Sequence, residues 1–376
     1  MKIKLGDVCT FQSGGTPTKE TEEFFNGTIP WITTTALNGG KIDGTQAVNW
    51  ITEKAIEKSA AKLVPAFSIM VGTRVGVGKV AVNTVQMSTS QDIISLINID
   101  ENQWDKDYLC KYIQGKNAFL NSQARGATIK GIKMDVLANL ELEEITLENQ
   151  ARISETIDRV KAILDARKSE LLELDKLVKA RFVEMFGTYP ANEMGWCTGT
   201  IRDVISEARY GSSRPAVEGG QYPYLRMNNI TYDGELDLSD IKRIDVPDSE
   251  LEKCTVRQGD VLFNRTNSKE LVGKTCVYNR DEMMVLAGFV IRIRVNSRVL
   301  PVFLSSFMNT DFSKQMLLGM CRTAVGQANI NAKELQDIGL YIPPIDLQQK
   351  FIDFKLQIDK SKLLEARQAG FIAKIS

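Results

Sequence analysis

The chain has 376 residues, 43% of them hydrophobic and 25% charged, with 47 basic side chains, 47 acidic ones and no histidine. That is the composition of a globular protein long enough for two or three domains. A net charge of zero argues against a uniformly basic nucleic-acid binder, and the missing histidine removes the commonest general base, the usual catalytic triads and most zinc chemistry. Six cysteines stand far apart with no Cys-x-x-Cys, which argues against a disulfide framework or zinc cage. The opening MKIKLGDVCT turns polar at once and no apolar run approaches the length of a membrane span, so a cytoplasmic protein without a membrane partner is expected.

In chain order, Lys2 to Phe11 reads as a helical start, followed to residue 30 by a loop rich in Gly, Thr and Pro. The β-branched run Ile29 to Leu37 reads as a strand, Lys62 to Val85 as a strand pair with glycine turns, and Ser90 to Ile99 as a further strand. Asp105 to Gln123 reads as helical, and Arg125 to Leu142 passes through a Gly-rich loop into a short helix and a last strand. The class is α+β.

Leu147 to Phe186 then carries Ile153, Ile157, Val160, Leu164, Leu171, Leu174 and Val178 at helical spacing, broken at Arg167. No Gly or Pro interrupts it, and Gly187 and Pro190 stop it. Such a helix spans on the order of 60 Å. A narrow stripe that long calls for a second helix along it, and the segment from Leu347 offers one, with Phe351, Phe354 and Ile358 on helical spacing.

Residues 197–345 repeat the order of residues 1–145. LGDV at Leu5 meets IRDV at Ile201, IPWI at Ile29 meets YPYL at Tyr222, VGTR ending at Arg74 meets FNRT with Arg265, and VGVGKV meets LVGKT. GIKMDVLANLEL meets NINAKELQDIGL, and Gln150 aligns with Gln349 at an offset of 349 − 150 = 199. The chain is a tandem duplication, each copy a globular unit followed by a helix. The two copies are each near neutral, yet residues 1–145 hold only Arg74 and Arg125 whereas 187–345 hold twelve arginines.

This order of elements, with the EEITLENQAR and IPPIDLQQKF stretches that open the helices, resembles the specificity subunit of type I restriction-modification systems over essentially the whole chain. The resemblance implies a target recognition domain at 1–145, a spacer helix at 146–187, a second target recognition domain at 188–345 and a C-terminal spacer helix at 346–376. The helices would pair as an antiparallel coiled coil with pseudo-two-fold symmetry. It further implies double-stranded DNA with a bipartite target as ligand, two methyltransferase subunits and restriction/translocase subunits as partners, and no catalysis in this chain. S-adenosylmethionine, ATP and Mg2+ would sit on the partners. The C-terminal helix departs from the family pattern in being shorter than the central one.

DNA reading requires donors and acceptors aimed at base edges and phosphates. Candidates in the first copy are Thr33, Thr34, Thr35, Asn38, Arg74, Lys79, Arg125 and Lys130; in the second they are Arg226, Asn228, Asn229, Arg265, Asn267, Lys269, Lys274, Arg322 and Gln327. Repeat-equivalent position is what groups them. Leu172, Leu177, Phe182, Val183 and Phe186 lie partly off the helical seam and are candidates for docking another protein.

Other signals carry little. Gly76 to Ala81 fits a loose dinucleotide pattern but continues as a strand rather than a helix. The acidic stretch around Asp248 to Glu252 lacks the strand of a nuclease core, and the Asn/Asp-Pro-Pro-Tyr/Phe motif of amino-methyltransferases is missing. The competing expectation is a protein-interaction scaffold of two repeated domains that binds no DNA.

Overall fold

The computed structural model describes residues 2–18, 20–126, 130–320, 322–324 and 327–375, without the side chains of 322–324, 327 and 365–375. The chain forms two compact units, one running through Ile163 and the other from Leu164 to Ile375.

In the first unit, Lys2–Lys4 pairs antiparallel with Glu141–Glu143, so the two ends of the globular part meet. A five-stranded sheet runs in the order Thr10–Ser13, Ile93–Ile97, Ile69–Gly72, Val80–Asn83, Lys41–Ile42. A four-stranded sheet runs Asn49–Ile51, Phe25–Ile32, Met87–Thr89, Leu63–Val64. The helix Lys106–Gly115 buries Leu109 and Ile113 against Leu5, Val71, Leu96 and Leu142.

Two local expectations are corrected. The segment from Lys2 is not a helix but two short strands around a single 3-10 turn at Leu5–Asp7, because each strand finds a partner far along the chain and Leu5 is buried between them. Sheet pairing outweighs local preference here. The strand expected from Ile29 to Leu37 begins at Phe25 and stops at Ile32, where Thr34–Ala36 turns instead.

The second unit repeats this plan. Cys197–Thr200 pairs with Gly339–Ile342; one sheet runs Ile205–Tyr210, Val290–Val295, Val261–Asn264, Thr275–Val277 and the other Lys242–Ile244, Tyr222–Leu225, Met284–Leu286, Thr255–Val256. The duplication extends to single bonds. Leu5 N–H donates to Leu140 O as Ile201 N–H donates to Ile338 O. The parallel pairing of Ile32 with Thr89 is matched by Leu225 with Leu286, and the Trp31 indole and the Tyr224 hydroxyl donate to Gly15 O and Ser212 O.

The long helices form as the spacing predicts, at Leu147–Phe186 and Ile345–Ile375. Gly187, at φ +79°, takes the left-handed conformation that ends the first, and its N–H bonds Val183 O. Along the predicted stripe Ile157, Val160, Leu164, Leu171, Leu174 and Val178 are half-buried, whereas Ile153 is exposed. Within the second unit the two helices run in opposite directions past each other: Lys362 pairs with Asp175 at 2.6 Å and, further along, Phe351 meets Phe182 and Phe186 at 5.2 and 5.7 Å. Phe182 and Phe186 are therefore core residues, packed on Phe303 and Phe351, and not docking surface. Of the off-seam positions, Leu172, Leu177 and Val183 remain exposed.

Each long helix is fixed to its globular part by a buried glutamine. Gln150 accepts from Asp105 N–H at 2.8 Å and donates to Gln103 O and Ile145 O; Gln348 accepts from Leu300 N–H at 2.8 Å and donates to Arg298 O and Pro343 O. Both are 0% exposed. The structural equivalent of Gln150 is thus Gln348, an offset of 348 − 150 = 198, and not Gln349, which is exposed.

The copies differ in how one strand pair is filled. In the second, Glu207 takes an ion pair from the buried Arg292 at 2.5 Å and from Arg209 at 3.0 Å, with Arg294 bridging to Asp260 at 2.9 Å. Strand register places Thr10 and Ser95 at the positions of Glu207 and Arg292 in the first copy.

Replacing Gln348 by Leu strips three backbone groups of their partners, at about 1–3 kcal/mol for each group left buried. Chemical denaturation is expected to show a clearly lowered midpoint, and Gln150→Leu the same for the first unit; an unchanged midpoint in either would show that the glutamine is dispensable.

Candidate nucleic-acid interface

In the first copy, Thr33 and the exposed Thr35 share a hydroxyl hydrogen bond of 2.8 Å at the turn after the strand Phe25–Ile32, and exposed Asn38 accepts from Gly40 N–H. Thr34, between them, is buried. A second group lies where the loop after Ile69–Gly72 meets the segment 125–133. Arg74 and Arg125 are both exposed and line, with Gln123, Gly131, Lys133 and Asp135, an open cavity of about 580 Å³. Gly131 permits this approach: a Cβ there would stand 2.9 Å from Arg74 Cγ and 3.0 Å from Thr73 O. Asp92 lies 3.8 Å from Arg74, a loose pair on an exposed side chain that a phosphate could displace. Lys79 and Lys130 are exposed. Ala127, Thr128 and Ile129 of the predicted loop lie outside the described residues.

In the second copy, Arg226 and Asn229 do not face outward. Arg226 holds Asp240 at 2.9 Å, while Asn229, 2% exposed, accepts from Arg226 N–H and donates to Asp237 O and Asp240 O. They brace the loop 226–240 and leave Asn228 exposed at its surface. Lys274 is likewise turned inward, donating to Met227 O at 2.9 Å, with burial lowering its pKa. Thr34, Asn229 and Lys274 are thus corrected from candidate DNA contacts to internal supports: their side chains are buried, the latter two satisfied by the protein's own backbone.

Arg265, Asn267 and Lys269 follow the strand Val261–Asn264, Arg265 and Asn267 half-buried and Lys269 exposed. Thr266–Asn267 pairs with Gln327–Asn329, which pairs with Arg322–Ala324, so the two predicted loops join in one small sheet. The side chains of Arg322 and Gln327 lie outside those described.

The alignment of Arg74 with Arg265 is corrected by one residue. Thr73 N–H donates to Asp92 O and Thr73 O accepts from Ile132 N–H; the matching bonds in the second copy are Arg265 N–H to Phe289 O and Ile330 N–H to Arg265 O. Arg265 therefore occupies the place of Thr73, and Arg74 that of Thr266, which is buried. Arg74 is exposed whereas Arg265 is half-buried against the Tyr210 ring, so the two arginines are set differently.

Lys133 beside Arg74, and Tyr210, whose ring lies 4.9 Å from the Arg265 guanidinium carbon, belong to these surfaces and are absent from the predicted set. Tyr210 precedes Arg265 by 265 − 210 = 55 residues, and no local pattern links them. Among the described residues no group of three or more His, Cys, Asp or Glu is arranged to hold a metal ion, and no helix is long and apolar enough to cross a membrane.

The chain belongs to the type I restriction modification DNA specificity domain family, which matches twice, at residues 1–174 and 194–369. It is 22% identical over 345 residues to the type I restriction enzyme EcoKI specificity subunit of Escherichia coli (strain K12), covering 86% of this chain and 74% of that one. It is 29% identical over 166 residues to the EcoR124I/EcoR124II specificity subunit of Escherichia coli, covering 41% of this chain and 39% of that one. Among solved structures, a chain from work on complex assembly and conformational transition of a type I R-M system superposes with a TM-score of 0.68 at 17% identity, covering 100% of this chain and 95% of the other. The type I restriction-modification S subunit from M. genitalium does so at 0.51 and 14%, covering 100% and 93%. These two likenesses show the fold. Family membership supports the DNA-specificity reading over a scaffold that binds no DNA.

One partly buried cation of the second unit gives a pH signature. Lys314 donates to Gly273 O at 3.3 Å and stands 5.0 Å from the Tyr232 ring; burial, with Lys179 nearby, lowers its pKa to about 8. An unfolded lysine titrates near 10.4. Between those values the unfolded chain binds a proton that the fold lacks, so stability rises as pH goes up through this window. Lys314→Met removes this contribution, so the thermal midpoint of the unaltered chain relative to the variant is expected to rise between pH 8 and 10; an equal slope in the two would refute the assignment.

Proposed function

We propose that this chain is the DNA sequence-specificity subunit of a type I restriction-modification complex, itself non-catalytic, in which each copy reads one half of a bipartite double-stranded target. The observation that carries the reading is the duplication itself, two copies sharing a backbone framework down to single hydrogen bonds while their outward loops differ in sequence. A conserved frame with divergent loops is what reading two different short sequences requires.

The long helices space the copies as an antiparallel rod with approximate two-fold symmetry, so the gap in the target stays close to one helical turn of DNA. Two methyltransferase subunits dock on the helices, with Leu172, Leu177 and Val183 as outward apolar contacts, and restriction/translocase subunits join them. S-adenosylmethionine, ATP and Mg2+ belong to those partners, as does the pocket that receives a flipped adenine. The complex acts in the cytoplasm. With zero net charge, this chain alone grips DNA weakly, and basic partners complete the hold.

The test is to express the chain with the methyltransferase encoded beside it and map adenine methylation by long-read sequencing. The expected result is a split motif, two short defined halves around a fixed gap, each half following its copy on domain exchange. An intact complex that methylates no such motif would defeat the proposal. Within it, Arg74→Ala and Arg125→Ala are expected to weaken binding about equally on all sequences, each lowering the salt slope by about 1. A change in the methylated motif would instead place these arginines at bases.

A further inference from the structure

Several arginines of the second copy pair with carboxylates: Arg202 with Asp337, Arg209 and Arg292 with Glu207, Arg214 with Glu250, Arg226 with Asp240 and Arg294 with Asp260. Arg265 is held differently. Its guanidinium lies over the Tyr210 ring, its Nε is buried without an acceptor, and among the described residues it has no carboxylate partner. The ring beneath it is itself fixed, because the Tyr210 hydroxyl accepts from Ala332 N–H at 2.8 Å. The arginine backbone is fixed from both sides, by Phe289 O and Ile330 N–H.

An aromatic shelf sets the plane of a guanidinium without consuming its hydrogen-bonding edge. The terminal nitrogens of Arg265 thus form a rigid two-donor fork on a half-exposed side chain, and the ligand that satisfies such a fork presents two acceptors in one plane. In duplex DNA the major-groove edge of guanine does so with O6 and N7. A phosphate also offers two acceptors, but that role needs no fixed plane, and the exposed Lys269 close by supplies a flexible cation for it. The first copy has Thr73 at this place, its hydroxyl already donating to Asp92 O at 3.1 Å.

We infer that Arg265, planed by Tyr210, reads a guanine in the half-site of the second copy, and that the first copy has no equivalent reader. The inference rests on the DNA-specificity reading and names one base within it.

Its test uses the whole complex of this chain with its methyltransferase subunit, comparing the methylated motif of the unaltered chain with those of Arg265→Lys, Arg265→Ala and Tyr210→Leu. The half assigned to the second copy should contain a G·C pair. In Arg265→Lys, discrimination at that pair should fall roughly 10- to 100-fold while every other position of both halves persists. Tyr210→Leu should relax the same position, and Tyr210→Phe, which keeps the ring but loses the bond to Ala332 N–H, should relax it less. If Arg265→Ala does not assemble, the lysine variant decides, since it keeps the charge and loses the planar fork. An unchanged motif, a uniform loss over all sequences, or a second half made only of A·T pairs would each overturn the inference. Absence of any split motif from the unaltered chain would instead defeat the reading beneath it.

Discussion

Two buried glutamine side chains join the parts of this protein. A long helix with a narrow apolar stripe gains little from its own propensity, and its direction relative to a globular domain is set where it leaves that domain. At Gln150 and Gln348 one amide satisfies a backbone donor and two backbone acceptors from otherwise separate segments. A leucine could fill the space but none of those bonds, and a charged side chain could not sit there unpaired. Any function that depends on where a recognition surface sits relative to its helix passes through this joint.

The supports behind the outward loops follow the same economy of polar groups. Asn229 and Arg226 brace one loop from within, Lys274 reaches under it to Met227 O, and Gly131 lets two chain segments touch beside Arg74. The polar residues that shape the surface are therefore often not those that meet a ligand. Exposure separates the classes: Thr35, Asn38, Asn228, Lys79, Lys130 and Lys269 face solvent, whereas Thr34, Asn229 and Lys274 do not.

Much of this plan was legible in the sequence. The central helix has the predicted bounds because Gly187 is an unambiguous stop and nothing interrupts the stripe before it. The duplication was legible because apolar strand cores and glycine turns repeat in order. What escaped was register. Matching Arg74 to Arg265 and Gln150 to Gln349 pairs like with like, but backbone bonding puts Thr73 and Gln348 in those places, since hydrogen bonds constrain the main chain and not the side-chain type. The strands at Lys2–Lys4 and Thr10–Ser13 escaped because their partners lie at Glu141–Glu143 and Ile93–Ile97, beyond any local window. Phe182 and Phe186 read as spare apolar surface because their neighbours Phe303 and Phe351 come from distant sequence.

The ionic cluster of Glu207, Arg209, Arg292, Arg294 and Asp260 sits where the first copy places Thr10 and Ser95. Buried ion pairs lose less to dehydration as temperature rises, whereas acid removes the carboxylate on which three arginines converge. Two descendants of one ancestral unit thus carry different environmental tolerances. Against the upward pull of burial, nearby cations hold the Glu207 carboxyl below its ordinary range, so the stabilisation this cluster gives the second copy is present at neutral pH and lost only as pH falls through that lowered value.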